Sequence, residues 1–208
     1  MIVNEADAVA ALAAGEVVAI PTDTVYGLAV DPRPPSATGR LFAVKGRPET
    51  VALPVLVADV TTAGQLGVLD ERAARLVERY WPGALTIVVG RRHVSFELGG
   101  DPATIGLRCP DHPVALRVLG ASGPLAVTSA NRHGERPSRS AAEVVAAFGE
   151  TLLVLDGGLC DGEPSTVVSI SSDRVACLRE GAIPMREIEL ALRDGPQGGR
   201  AAAGHGDG

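Results

Sequence analysis

The sequence predicts an α/β fold. Short apolar runs alternate with capped, helix-forming stretches along most of the 208 residues. Hydrophobic residues make up 46% of the chain, yet the aromatic set is only Trp81, two tyrosines and three phenylalanines, so the core must be built from Ala, Val, Leu and Ile. A chain of this length buries one sizeable core, which gives one domain over residues 1–194. The glycine-rich tail 195–208, "GPQGGRAAAGHGDG", is expected to be disordered.

Each element has a local reason. Asn4 can cap an Ala-rich helix that stops near Gly15, and "EVVAI" reads as a buried strand ending at Pro21. "PTDTVYGL" is then the loop leaving that strand. "ATGRLFAVK" is helical up to Lys45, "LPVLV" a strand, and "DERAARLVERYWPG" an amphipathic helix closed by Pro82 and Gly83. "LTIVVG" and "TIGLRCP" follow as strands, then the helix "DHPVALRVLG" with Asp111 placed to cap it. "PLAVTSAN" is a strand running into a loop, and Ser140 with Glu143 has capping-box spacing at the head of "AAEVVAAFG". "TLLVLDGG", "STVVSIS" and "RVACLREG" are three further strands. Pro184 opens a last helix, "MREIELALRD".

Composition excludes several classes. The N-terminus has no basic stretch leading into an apolar one, and no apolar run approaches the roughly 20 residues a bilayer span needs, so a cytoplasmic protein without membrane contact is expected. A net charge of −6 argues against binding nucleic acid by bulk electrostatics, although an arginine-lined groove stays open. Cys109, Cys160 and Cys177 are odd in number and widely spaced, which favours core thiols over disulfides or a zinc site. P-loop, GxGxxG, Ser-elbow and HExxH patterns are all missing.

The chemistry is expected where strands end in polar loops, as in other open α/β sheets. Five loops stand out. "PTDTVYGL" offers two threonines and an aspartate, and a self-satisfied turn is the plainer alternative. "KGRP" places Lys45 and Arg47 two residues apart, a point charge and a planar fork that suit an anion, although a solvated helix end explains the same residues. Lys45 is the only lysine in the chain, which tips the balance toward a task a guanidinium does poorly. In "TIGLRCP" the period of two puts Thr104, Gly106 and Arg108 on one strand face. "VTSANRHGERPS" carries two hydroxyls and an amide followed by Arg132, His133, Arg136, Ser138 and Arg139. "EPSTVV" adds Ser165 and Thr166.

Taken in order, "PTDTVYGL", "KGRP", "TIGLRCPDHP", "TSAN" followed by "RPS", "EPSTVV" and "LREGAIP" resemble the YrdC/TsaC threonylcarbamoyladenylate synthases from about Ala8 to Glu189. The resemblance implies a twisted, open mixed sheet flanked by helices, with a concave face carrying the site. It also implies a reaction that joins L-threonine, bicarbonate and ATP, with Mg2+, into threonylcarbamoyladenylate and pyrophosphate for tRNA modification. A downstream threonylcarbamoyl-transferase complex would consume the product, and a weak tRNA contact is among the partners the resemblance implies.

By the same resemblance Lys45 and Arg47 form the catalytic clamp on phosphate and carbamate. Thr24, Arg108, the main chain at Val127 and Ser165 take threonine. Thr104, Ser129, Asn131, Ser138 and Arg179 join the clamp in holding ATP. No protein ligand for the metal is implied. Many relatives carry a basic or polar residue and then Pro-Leu after the clamp, whereas this chain reads Val51, Ala52, Leu53, so one phosphate contact is in question. By the same resemblance a single-domain form is expected, without the second domain of longer members. Two other readings stay open: a noncatalytic RNA-binding module, suggested by Arg132, Arg136 and Arg139, and a carbamoyl-transfer accessory domain.

Overall fold

The computed structural model describes residues 1–34, 36–46, 48–132, 134–171 and 174–193. Arg47, His133 and the tail 195–208 lie outside the described residues, so expectations placed on them have no structural counterpart. The strands are β1 (Ile2–Val3), β2 (Val18–Ile20), β3 (Gly27–Val30), β4 (Val55–Leu56), β5 (Leu85–Gly90), β6 (Thr104–Arg108), β7 (Leu125–Ser129), β8 (Leu153–Leu155), β9 (Thr166–Ile170) and β10 (Val175–Arg179). The helices are α1 (Glu5–Ala13), α2 (Ala37–Lys45), α3 (Val60–Leu66), α4 (Glu71–Tyr80), α5 (Pro113–Ser122), α6 (Ala141–Phe148) and α7 (Met185–Arg193).

Among the described residues the strands form one ten-stranded sheet in the order β1-β8-β2-β3-β7-β4-β6-β5-β9-β10. It is mixed: β1–β8, β2–β8, β4–β6 and β5–β9 pair in parallel and the other neighbours antiparallel. Two apolar clusters cover its two faces. Leu28 and Val30 of β3, Ala126 of β7 and Ile87 and Val89 of β5 pack toward α2, α4, α6 and α7. Ala29, Leu125 and Val127, on the alternate pleat, pack instead against Leu12 of α1 and Val118 and Leu119 of α5.

That second cluster takes no residue from β5, β6, β9 or β10, so this half of the face lies beyond α1 and α5. Side chains here point by turns to the core and to the open face. On β5, Leu85, Ile87 and Val89 enter the core while Thr86 and Val88 face a cavity. On β6, Leu107 enters the core, Ile105 joins the core while also bordering the cavity, and Thr104, Gly106 and Arg108 line it, the face anticipated from period two.

Several helix ends behave as their sequences imply. The Asn4 side chain accepts from Asp7 N at 2.9 Å. Gly46 closes α2 in the left-handed region at φ 65°, donating back to Ala43. Ser140 Oγ accepts from Glu143 N at 3.2 Å, while the Glu143 carboxylate reaches one residue further back, to Arg139 N at 2.6 Å.

Other expectations are corrected. Residue His112, not Asp111, occupies the N-cap of α5, and no side-chain bond caps it. Pro113 sets the first helical position, which places the cap directly before it. "PTDTVYGL" is not wholly loop, since β3 begins at Gly27. The strand β1 and the helix α3, capped by Asp59 on Thr62 N at 2.7 Å, were not anticipated. All three cysteines are free thiols, but only Cys109 and Cys160 are buried; Cys177 is exposed because β10 is an edge strand. Among the described residues no helix is long and apolar enough to cross a membrane.

Candidate functional site

The cavity on the uncovered half-face has a volume of about 540 Å³, within the range of small-molecule pockets. Of the residues singled out in the sequence, Thr24, Thr104, Arg108, Val127, Ser129, Ser165 and Arg179 line it. Lys45, Asn131 and Ser138 are buried beside it without lining it.

The strand end of β6 presents Arg108, only 6% exposed. Its Nη2 donates to Asp23 Oδ1 at 2.6 Å, Nη1 to Thr24 Oγ1 at 3.1 Å and Nε to the Gly83 carbonyl at 3.0 Å. Burial lowers the pKa of this guanidinium, against the opposing pull of the Asp23 carboxylate. Thr24 is fixed in turn by Thr22, whose Oγ1 lies 3.0 Å from Thr24 Oγ1, donates to Val25 O at 2.6 Å and accepts from Thr24 N and Val25 N at 3.2 Å. The turn reading of "PTDT" is therefore correct, and the same turn aims Thr24 at the cavity.

Tyr26 anchors the far side of this loop. Its hydroxyl donates to Gly158 O at 2.9 Å and accepts from Gly157 N at 3.1 Å. Burial first of all pushes the phenol up to about 12, so it stays protonated and serves as a tie rather than a base.

Across the cavity, the last residue of α2 is buried rather than solvated. Lys45 Nζ donates to Ser129 O and Asn131 Oδ1, both at 2.6 Å, and to Ser129 Oγ at 3.2 Å. Ser129 Oγ donates to Asn131 Oδ1 at 2.6 Å, and the Asn131 amide donates to Arg132 O and Glu135 O at 2.8 and 2.9 Å. The ammonium thus sits directly behind the serine that faces the cavity.

The third wall comes from β9 and β10. Arg179 Nη2 donates to Ser165 O at 2.8 Å and Ser165 Oγ at 3.1 Å, and Ser165 Oγ lies 3.0 Å from Thr86 Oγ1. Partial burial and then the charge of Arg108 lower the Arg179 guanidinium. Two guanidiniums lining one cavity suit an anionic ligand. Ser138 contributes backbone: its carbonyl accepts from Tyr26 N at 3.0 Å and its N–H donates to Ala130 O at 2.8 Å. At Val127 the N–H is taken by Pro54 O at 2.9 Å.

Sequence reasoning missed Asp23 as the partner of Arg108, and Thr86 as the partner of Ser165. Asp23 was visible inside "PTDT", but its partner lies 85 residues away. The alternation of "LTIVVG" was the signal for Thr86. Val51 and Ala52 also line the cavity, so this segment supplies apolar wall at that point.

A model for the Sua5/YciO/YrdC family, described as "Telomere recombination", matches residues 10–181. A threonylcarbamoyl-AMP synthase from Bacillus subtilis is 39% identical over 194 residues, covering 90% of this chain and 56% of that one. Another from Chromohalobacter salexigens is 41% identical over 174 residues, covering 80% of this chain and 92% of that one. The crystal structure of Pyrococcus abyssi Sua5 complexed with L-threonine superposes with a TM-score of 0.87 at 32% identity, covering 92% of this chain and 60% of that one. The chain thus spans little more than half the length of the Bacillus and Pyrococcus relatives.

Proposed function

This chain belongs to the Sua5/YciO/YrdC family, and we propose that it is an L-threonylcarbamoyladenylate synthase. It would make threonylcarbamoyl-AMP and pyrophosphate from L-threonine, bicarbonate and ATP, in the cytoplasm, for a downstream complex that modifies tRNA. The observation that carries this reading is the convergence of Arg108, Arg179 and the Lys45-backed Ser129 on one cavity. Relatives named threonylcarbamoyl-AMP synthase and a threonine-bound neighbour support it.

The chemistry needs positioning and charge neutralisation more than a protein nucleophile. The amine of threonine forms a bond to the bicarbonate carbon and water departs, leaving a carbamate. A carbamate oxygen then bonds to the α-phosphorus of ATP as the bond to pyrophosphate breaks. Both steps bring anions together, so fixed cations lower the barrier by cancelling repulsion and holding the reactants in line.

In this reading Arg108 and Thr24 take the threonine carboxylate, with the main chain at Val127 and the Ser165 side chain completing the threonine side. Thr104, Ser129 and Arg179 face the nucleotide, and Asn131 and Ser138, buried beside the cavity, back them. Lys45 and Arg47 act as the clamp where phosphate and carbamate meet. The direct Arg179–Ser165 bond makes the two substrate regions adjoin. Mg2+ would arrive with ATP, held by phosphate oxygens and water; among the described residues no group of three or more His, Cys, Asp or Glu could hold a metal ion.

The test is pyrophosphate release from ATP and Mg2+ with threonine and bicarbonate omitted in turn. Release that requires both is expected. Folded protein that releases none, or releases it without threonine, overturns the assignment.

A further inference from the structure

Arg108 is held from behind. Asp23 does not line the cavity, yet its carboxylate lies 2.6 Å from Nη2, with side-chain exposures of 8% for the arginine and 15% for the aspartate. A guanidinium has five N–H donors. Among the described residues three of them go to Asp23 Oδ1, Thr24 Oγ1 and Gly83 O, which leaves two for a ligand in the cavity. These three acceptors come from two separate loops, so they fix both the plane and the rotation of the fork.

We propose that Asp23 is a positioning residue for amino-acid binding: it holds the Arg108 guanidinium so that the two remaining donors meet the substrate carboxylate. This rests on the amino-acid-binding reading above and assigns Asp23 a part in it.

The sign of the effect separates positioning from simple charge. A carboxylate next to Arg108 repels an incoming carboxylate, so if Asp23 acted only through its field, neutralising it would tighten binding. If it orients the fork, the same change weakens binding, because a misaligned fork loses its paired hydrogen bonds. Orientation dominates here: the contact is a direct 2.6 Å hydrogen bond, and the guanidinium is only 6% exposed, so fixed protein acceptors rather than bulk water set its orientation.

The experiment titrates L-threonine into the full chain by isothermal calorimetry, alongside steady-state KM and kcat for threonine and for ATP. Asp23→Asn is expected to weaken threonine binding by about tenfold or more and to raise its KM to match. The ATP KM and the kcat at saturating threonine should stay within about twofold of wild type. Asp23→Glu retains the charge that compensates Arg108 but not the reach, so it tests the idea even if the asparagine variant does not fold. It too should bind threonine more weakly, with thermal stability near wild type. Unchanged or tighter binding in a folded Asp23→Asn, or full affinity in Asp23→Glu, overturns the proposal. Wild-type protein that gives no threonine heat removes the amino-acid reading itself, and the role of Asp23 with it.

Discussion

Replacing Lys45 with methionine removes the ammonium while keeping an unbranched side chain of similar length. In the folded protein Nζ bonds Ser129 O and Asn131 Oδ1 at 2.6 Å, and bonds of this charge-assisted kind contribute about 1.5–3 kcal/mol. Both acceptors keep another donor, since Asn131 N reaches Ser129 O at 3.0 Å and Ser129 Oγ reaches Asn131 Oδ1 at 2.6 Å. Burying methionine is also cheaper than burying a cation, so the net stability loss should be about 1–2 kcal/mol. For a chain of this size that lowers Tm by about 2–8 °C. Domain stabilities of about 5–15 kcal/mol absorb such a loss with nearly all molecules still folded at 25 °C. Removing one preorganised cation from the reacting anions, by contrast, should cost about 10²–10³ in kcat. Pyrophosphate release and thermal unfolding measured on the same preparation separate the two effects. A Lys45→Met protein that turns over within about threefold of wild type, or whose activity loss is matched by an equal loss of folded protein, refutes the clamp assignment.

Three further outcomes are expected. Arg108→Lys keeps a charge but not the planar fork, so the threonine KM should rise by about 10–100-fold while the ATP KM hardly moves; equal changes in both contradict the carboxylate role. Thr166 is fully buried, and its Oγ1 donates to Ile183 O at 2.6 Å and accepts from Gly181 N and Ile183 N at 3.0 Å. Thr166→Val should therefore lose about 2 kcal/mol by urea unfolding through those unpaired groups, and no shift in midpoint would exclude this tie. Burial, as the largest influence, lowers His112 below its usual pKa, and its Nδ1 has no hydrogen-bond partner among the described residues. The unfolded chain then binds the extra proton more readily, so stability should be complete above about pH 6.5 and decline as pH falls toward the depressed folded value. His112→Gln should flatten that decline in Tm measured from pH 7.5 to 5; an unaltered slope assigns it to other groups.

Local chemistry in the sequence was enough for the helix over 37–45 with Gly46 beyond it, for the Ser140 and Asn4 caps, and for the strand over 85–90. Each depends on residues within four positions of one another, and capping or period-two patterning acts over that distance. The same short-range logic put Thr104, Gly106 and Arg108 on one face. The motifs also carried the family and most of the cavity wall.

What the sequence by itself determined, then, was the element types, their faces and the groups available for chemistry. The strand order, the two-residue β1 and the place of β3 came only with the tertiary structure, because pairing partners such as Ile2 and Val154 are far apart in the chain and a two-residue strand has no pattern of its own. The same holds for the partners inside the site. Arg108 meets Asp23 across 85 residues and Lys45 meets Asn131 across 86. A buried cation has to find its acceptors wherever the sheet brings them, and that choice is made by long-range packing rather than by the local sequence.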